Sequence, residues 1–131
     1  MLGEKTASDY MTRDVVTLAP EMDLRRAALV LLGRAISGAP VIDAGGGVVG
    51  ILTEKDCFRV VFEASYHKDL CGPVSDYMST DVETVDADTG IVEVLERFLR
   101  GRYRRFPVVS GGRLVGVIAR RDALQALVEL T

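Results

Sequence analysis

The chain has 131 residues, 48% hydrophobic and 27% charged, which is ordinary globular composition at the size of one domain. With 16 Lys and Arg against 19 Asp and Glu, its net charge of −3 argues against a surface given over to nucleic acid. Two cysteines, Cys57 and Cys71, and one histidine, His67, exclude a disulfide framework and offer no metal-ligand spacing.

The longest apolar stretches, 27–33 and 60–62, fall far short of the roughly 18 residues of a membrane-spanning helix. The Met-Leu-Gly-Glu start has no signal-peptide core, so a cytoplasmic protein is expected. Residues 6–12 read as a short helical or irregular lead-in, and Val15-Val16-Thr17-Leu18 as a brief strand ended by Ala19-Pro20. A helix follows from Asp23, a residue type suited to an N-cap. Leu24, Ala27, Ala28, Leu31 and Leu32 then recur at i, i+3, i+4, i+7 and i+8 and predict one core-facing stripe ending near Gly33.

Ile36-Ser37-Gly38-Ala39 leads into a strand over 40–43, and 48–53 returns as its hairpin partner. Gly45-Gly46-Gly47 between them reads as a turn, because neither a Lys-Ser/Thr nor a GxGxxG spacing accompanies it. Thr53 and Asp56 have the [ST]-x-x-[DE] spacing of a helix start, and a helix is expected over 54–65. Phe58, Val61 and Phe62 share one of its faces, with Cys57 and Val60 beside them. Residues 66–73 read as a connector in which Gly72-Pro73 breaks any helix.

Beyond the connector the scheme returns, with a strand over 82–85, a helix over 90–100, a hairpin of 106–109 and 114–119, and a last helix over 120–130 lined by Ala123, Leu124, Leu127 and Val128. Arg100-Gly101-Arg102-Tyr103-Arg104-Arg105 puts four guanidinium groups within six residues. Arg100 and Arg102 suit a helix C-terminus with Gly101 as its cap. Arg104 and Arg105 run directly into the buried-looking strand Phe106-Pro107-Val108-Val109, where a cation wants an anion.

The second half repeats the first. Asp9-Tyr10-Met11-Thr12 falls on Asp76-Tyr77-Met78-Ser79 at an offset of 67 residues, and Pro40-Val41-Ile42 falls on Pro107-Val108-Val109. Gly50-Ile51-Leu52-Thr53-Glu54-Lys55-Asp56 falls on Gly116-Val117-Ile118-Ala119-Arg120-Arg121-Asp122 at an offset of 66, the extra residue lying in Ala44-Gly45-Gly46-Gly47. Each half is a β-α-β-β-α unit of roughly 60 residues, too small to bury much alone. The final helix of each half also carries more apolar surface than a lone small domain should display, so these helices are expected to meet a second copy of the chain.

With Asp-x-Met-Thr/Ser, the Pro-Val-Val/Ile strand and Gly-h-h-Thr/Ala-x-x-Asp each present twice in order, the chain resembles a tandem pair of CBS domains, a Bateman module. The resemblance implies an α/β (α+β) fold: repeat 1 over 7–66, a connector over 67–73, and repeat 2 over 74–130, packed about a pseudo-twofold axis and dimerising into a disk. It implies two clefts that bind an adenine nucleotide such as AMP, ADP or ATP as regulatory ligand, or in some members S-adenosylmethionine. Asp56 and Asp122 match the family's ribose-binding aspartate. Thr53, Arg104, Arg105 and Arg120 stand at positions suited to the phosphate. Asp81, Val82 and Tyr103 would hold the base in the cleft of Asp56; Asp14, Val15, Ile36 and Ser37 would hold it in the cleft of Asp122.

The chemistry of these residue types agrees, since a carboxylate accepts ribose hydroxyls while arginine or a helix start takes phosphate. Ala119 stands where Thr53 stood, so the Asp56 cleft is expected to be the better nucleotide site by about 0.5–1.5 kcal/mol. No Ser/His/Asp or Cys/His set suggests an enzyme, and no obligatory cofactor is implied. The expected role is a stand-alone sensor signalling in trans to a partner protein, with a ligand-free dimerisation scaffold as the alternative. Nucleic-acid binding through residues 100–105 fits least well.

Overall fold

The computed structural model describes residues 2–63 and 70–131; the expected helix end at Ala64 and Ser65, and Tyr66, His67, Lys68 and Asp69 of the connector, lie outside them. The chain divides into two compact units. Val16–Val82 forms one, here called the Asp56 unit. The segment ending at Val15 joins Glu83–Thr131 to form the other, the Asp122 unit. The unit boundaries cut across the sequence repeat, because each unit takes its lead-in from the opposite half.

In the Asp56 unit, Asp23 caps helix α2 (Leu24–Gly33) by accepting the Arg25 N–H at 3.2 Å; α1 is the single turn Ala7–Tyr10 of the other unit. Helix α2 closes in a Schellman motif, with Ile36 N–H to Leu31 O at 3.1 Å and Ala35 N–H to Leu32 O at 3.2 Å. Ala35 takes the left-handed conformation this closure needs, at φ 54°. Strands β1 (Gly38–Ile42) and β2 (Val48–Thr53) pair antiparallel, and α3 (Glu54–Glu63) leaves directly from the end of β2. The three glycines between the strands do make a turn, closed by Asp43 Oδ1 accepting the N–H groups of Gly45 at 3.0 Å and Gly47 at 2.9 Å.

The Asp122 unit repeats this with β3 (Val85–Asp86), α4 (Ile91–Arg100), β4 (Arg105–Ser110), β5 (Arg113–Ala119) and α5 (Arg120–Leu130). Strand β4 is central, parallel to β3 and antiparallel to β5. Gly111 and Gly112, at φ 59° and 78°, make the two-residue turn with both angles positive that a tight hairpin favours. The shorter turn accounts for the one-residue slip between the repeats.

Two expectations need correcting, the brief strands and the ends of the helix stripes. The strand over 15–18 reduces to one parallel bridge, Leu18 to Val41, and that over 82–85 to the two residues of β3. The chain passes from one unit to the other at Val15/Val16 and at Val82/Glu83, so only the last residues of each segment reach a hairpin. On α2 and α4 the stripe loses its final member: Leu24, Ala27 and Leu31 are buried but Leu32 is exposed, as is Leu99 beyond Ile91, Val94 and Phe98. A residue at i+8 has rotated about 80° from the first, past the edge of the core. On the last helices the large side chains face outward. Cys57, Val60, Ala123 and Ala126 are buried, whereas Phe58, Phe62, Leu124 and Val128 are exposed; the side chain of Val61 lies outside the described residues.

Candidate functional site

Asp56 is the one buried charged side chain among the described residues, 5% exposed. It sits there because α3 starts at the strand end and its first turn folds back on Thr53. Asp56 Oδ2 accepts the Thr53 N–H at 2.8 Å and the Thr53 hydroxyl at 3.0 Å, while Thr53 Oγ1 accepts the Asp56 N–H at 3.3 Å. The capping box read in the sequence is therefore formed. Asp56 Oδ1 accepts from Arg59 Nη1 at 2.9 Å. Asp122 repeats only the backbone part, with Oδ2 accepting the Ala119 N–H at 2.7 Å. The residue placed like Arg59 is Gln125, whose amide goes instead to Glu129 at 2.9 Å.

Hairpin register decides what lies beside each aspartate. Gly38 pairs with Thr53 and Arg105 with Ala119, so the loop entering the first strand abuts the helix leaving the second. Glu54 N–H donates to Ser37 O at 2.9 Å, and Arg120 N–H donates to Arg104 O at 3.0 Å. Arg120 Nε also donates to Tyr103 O at 3.2 Å. These hydrogen bonds put Ser37 beside the helix start that carries Asp56, and Tyr103 and Arg104 beside the one that carries Asp122.

The lead-in segments complete each unit. Ser79 exchanges both backbone hydrogen bonds with Ile51 at 2.9 Å, and Thr12 does so with Val117 at 2.8 and 2.9 Å. Asp81 and Val82 thus follow a segment fastened to β2, in the unit of Asp56, and Asp14 and Val15 follow one fastened to β5, in the unit of Asp122. Each crossing lies at a glycine. A Cβ at Gly50 would come within 2.5 Å of Met78 Sδ and one at Gly116 within 2.6 Å of Met11 Sδ, which is why glycine and methionine recur together in the repeat.

Two neighbours of Asp56 went unnoticed in the sequence. Arg59 is its ion-pair partner, legible as Asp-x-x-Arg on a helix. Glu54 adds a carboxylate where the other unit has Arg120. Burial, reinforced by the charges of Asp56 and Glu54, pushes the Cys57 thiol above its usual pKa and keeps it protonated. In the arginine run, Arg100 pairs with Glu96 at 3.6 Å and the Arg102 guanidinium lies 5.7 Å from the Tyr103 ring centre. Among the described residues no group of three His, Cys, Asp or Glu gathers that could hold a metal, and no helix is long and apolar enough to cross a membrane.

Comparison with known proteins adds an independent finding. The CBS domain family profile matches twice, at residues 7–63 and 74–129. The chain is 32% identical over 124 residues to an uncharacterized 17.7 kDa protein in the bps2 3′ region of Acidianus ambivalens, covering 94% of this chain and 73% of that one. It is 33% identical over 122 residues to inosine-5′-monophosphate dehydrogenase of Methanocaldococcus jannaschii, covering 92% of this chain but only 23% of the enzyme. In fold it is similar to CBSX2, solved in complex with AMP, at a TM-score of 0.82 and 24% identity, covering 95% and 97% of the two chains.

Proposed function

The chain belongs to the CBS-domain family, and on that premise we propose that it is a regulatory module whose ligand is an adenine nucleotide, AMP, ADP or ATP, and whose occupancy is read in trans by a partner protein. The observation that carries this reading is the recurrence, in two units, of one constellation. A carboxylate sits in the first turn of a helix, at the end of β2 or β5, flanked by the loop entering the hairpin and by a lead-in fastened to that strand. Asp56 and Asp122 would accept the ribose hydroxyls, and the amides at the helix start and the arginines would meet phosphate. Asp14, Val15, Ile36, Ser37, Asp81, Val82 and Tyr103 would face the base.

AMP in the similar CBSX2 structure supports the ligand class. The small share of the dehydrogenase that is matched supports a regulatory role, since such a segment is an accessory to the larger enzyme. Exposed Phe58, Phe62, Leu124 and Val128 support a homodimer through the last helices of the repeats. The test is a melting series with AMP, ADP, ATP and S-adenosylmethionine. A rise in melting temperature with a nucleotide is expected, and no shift with any of the four would transfer the reading to a ligand-free scaffold.

A further inference from the structure

Towards the end of α5 away from Asp122, Lys5, Asp9, Tyr10, Gln125 and Glu129 line an open cleft of about 300 Å³, at the small end of the range for ligand pockets. All five belong to the Asp122 unit, where three of its segments meet. The segment carrying Lys5 is tied to the start of α4, the Ile91 N–H donating to Lys5 O at 2.8 Å; α1 supplies Asp9 and Tyr10, and α5 supplies Gln125 and Glu129. None of them is among the residues assigned to the adenine ligand.

The two carboxylates of the cleft are oriented by neutral donors and neutralised by none. Glu129 accepts the Tyr10 hydroxyl on Oε2 and the Gln125 amide on Oε1, each at 2.9 Å. Asp9 Oδ2 accepts the Thr6 N–H at 2.8 Å and the Thr6 hydroxyl at 3.3 Å, while its Oδ1 has no hydrogen bond among the described residues. These donors hold both carboxyls below the usual carboxylate range, so both are ionised at neutral pH with lone pairs to spare. The Lys5 ammonium forms no ion pair among the described residues. Arg13, the other cation near Asp9, is turned to Ser8, its Nη2 lying 3.1 Å from the hydroxyl. The cleft therefore presents one positive charge and two negative ones.

We propose that this cleft binds a free α-amino acid with a cationic side chain, Lys5 taking its carboxylate and Asp9 and Glu129 taking its two cationic groups. Each charge then meets its opposite in a charge-assisted hydrogen bond. An amino acid with a neutral side chain leaves one carboxylate unpaired, a diamine sets a cation against Lys5, and a phosphate meets two carboxylates. The other unit keeps Asp76, Tyr77 and Glu63 at the matching positions but has Gly72 for Lys5 and Arg59 for Gln125. There the Tyr77 hydroxyl lies 3.3 Å from the place a Cβ on Gly72 would take, and Arg59 is paired with Asp56 at 2.9 Å. One such site per chain follows.

The test is calorimetric titration of the full chain with L-arginine, with agmatine, which keeps both cations but lacks the carboxylate, and with L-norleucine, which keeps the zwitterion but lacks the side-chain cation. L-arginine should bind at one site per chain, and the other two at least about tenfold more weakly, a comparison that needs no variant. Lys5→Gln should bring L-arginine down to the level of agmatine and leave agmatine no weaker, while Glu129→Gln should remove the preference over L-norleucine. Saturating AMP should leave L-arginine binding unchanged, because the cleft shares no residue with the adenine sites. No heat from L-arginine, equal binding of the three compounds, undiminished L-arginine binding in Lys5→Gln, or displacement of L-arginine by AMP would each overturn the proposal. AMP that itself fails to bind would count against the adenine reading alone.

Discussion

Asp56 joins a strand end to a helix start through one carboxylate. Its Oδ2 ends the strand and starts the helix, and its Oδ1 is held by Arg59, whose side chain is 62% exposed. The guanidinium faces solvent while the carboxylate is buried, so a ribose hydroxyl taking its place must keep Oδ1 hydrogen-bonded. The motif was readable from spacing, but its neighbours were not, because which loop lies beside which helix start depends on strand register. At the far end of α5, Gln125 and Tyr10 both donate to Glu129, and these bonds hold its carboxyl below the usual glutamate range. Asp9 is likewise lowered, chiefly by the Thr6 backbone N–H. The unfolded chain therefore binds these protons more readily than the folded one. The stabilisation they supply is complete at neutral pH and is lost as pH falls through the carboxylate range below about 4. Denaturant midpoints measured from pH 7 to pH 3 should drop less steeply in an Asp9→Asn/Glu129→Gln variant than in the wild type.

At the scale of elements, helices and hairpins followed from pattern: α2, α4, the β4–β5 hairpin and α5 lie within a residue or two of their expected bounds. The misread segments are the brief strands, whose existence depends on a partner distant in sequence rather than on their own residues. The glycines of β2 and β5 are legible as a repeat, but their reason lies in the packing. Gly50 and Gly116 are where the lead-ins cross, with Ser79 O and Thr12 O lying 2.9 and 2.7 Å from the place a Cβ would take. These obstacles are backbone and cannot rotate away. Gly50→Ala and Gly116→Ala should each destabilise the protein by roughly 1–3 kcal/mol in urea unfolding. Gly3→Ala, with nothing within 4 Å, should leave the midpoint unchanged. Equal midpoints for Gly116→Ala and the wild type would refute the close crossing.

For the whole molecule, duplication was the most legible property, because a doubled set of weak motifs in constant order is far more specific than any one of them. The exchange of lead-ins between units was not legible, since sequence repeats show what is copied and not what packs together. The outward Phe62 and Val128, 87% and 74% exposed, make self-association the expected state. Phe62→Glu/Val128→Glu should sediment as a monomer at concentrations where the wild type is a dimer, and a monomeric wild type would contradict the dimer. The central claim is that Asp56 and Asp122 hold an adenine ligand. It is tested most directly by calorimetric titration of AMP, ATP and S-adenosyl-L-methionine into the wild type and into Asp56→Asn/Asp122→Asn, which keeps a cap acceptor at each helix start but removes the second carboxylate oxygen. Binding in the wild type that weakens at least about tenfold in a variant with an unchanged melting curve is the predicted result. Undiminished binding in that variant, or no heat from any of the three in the wild type, would contradict it.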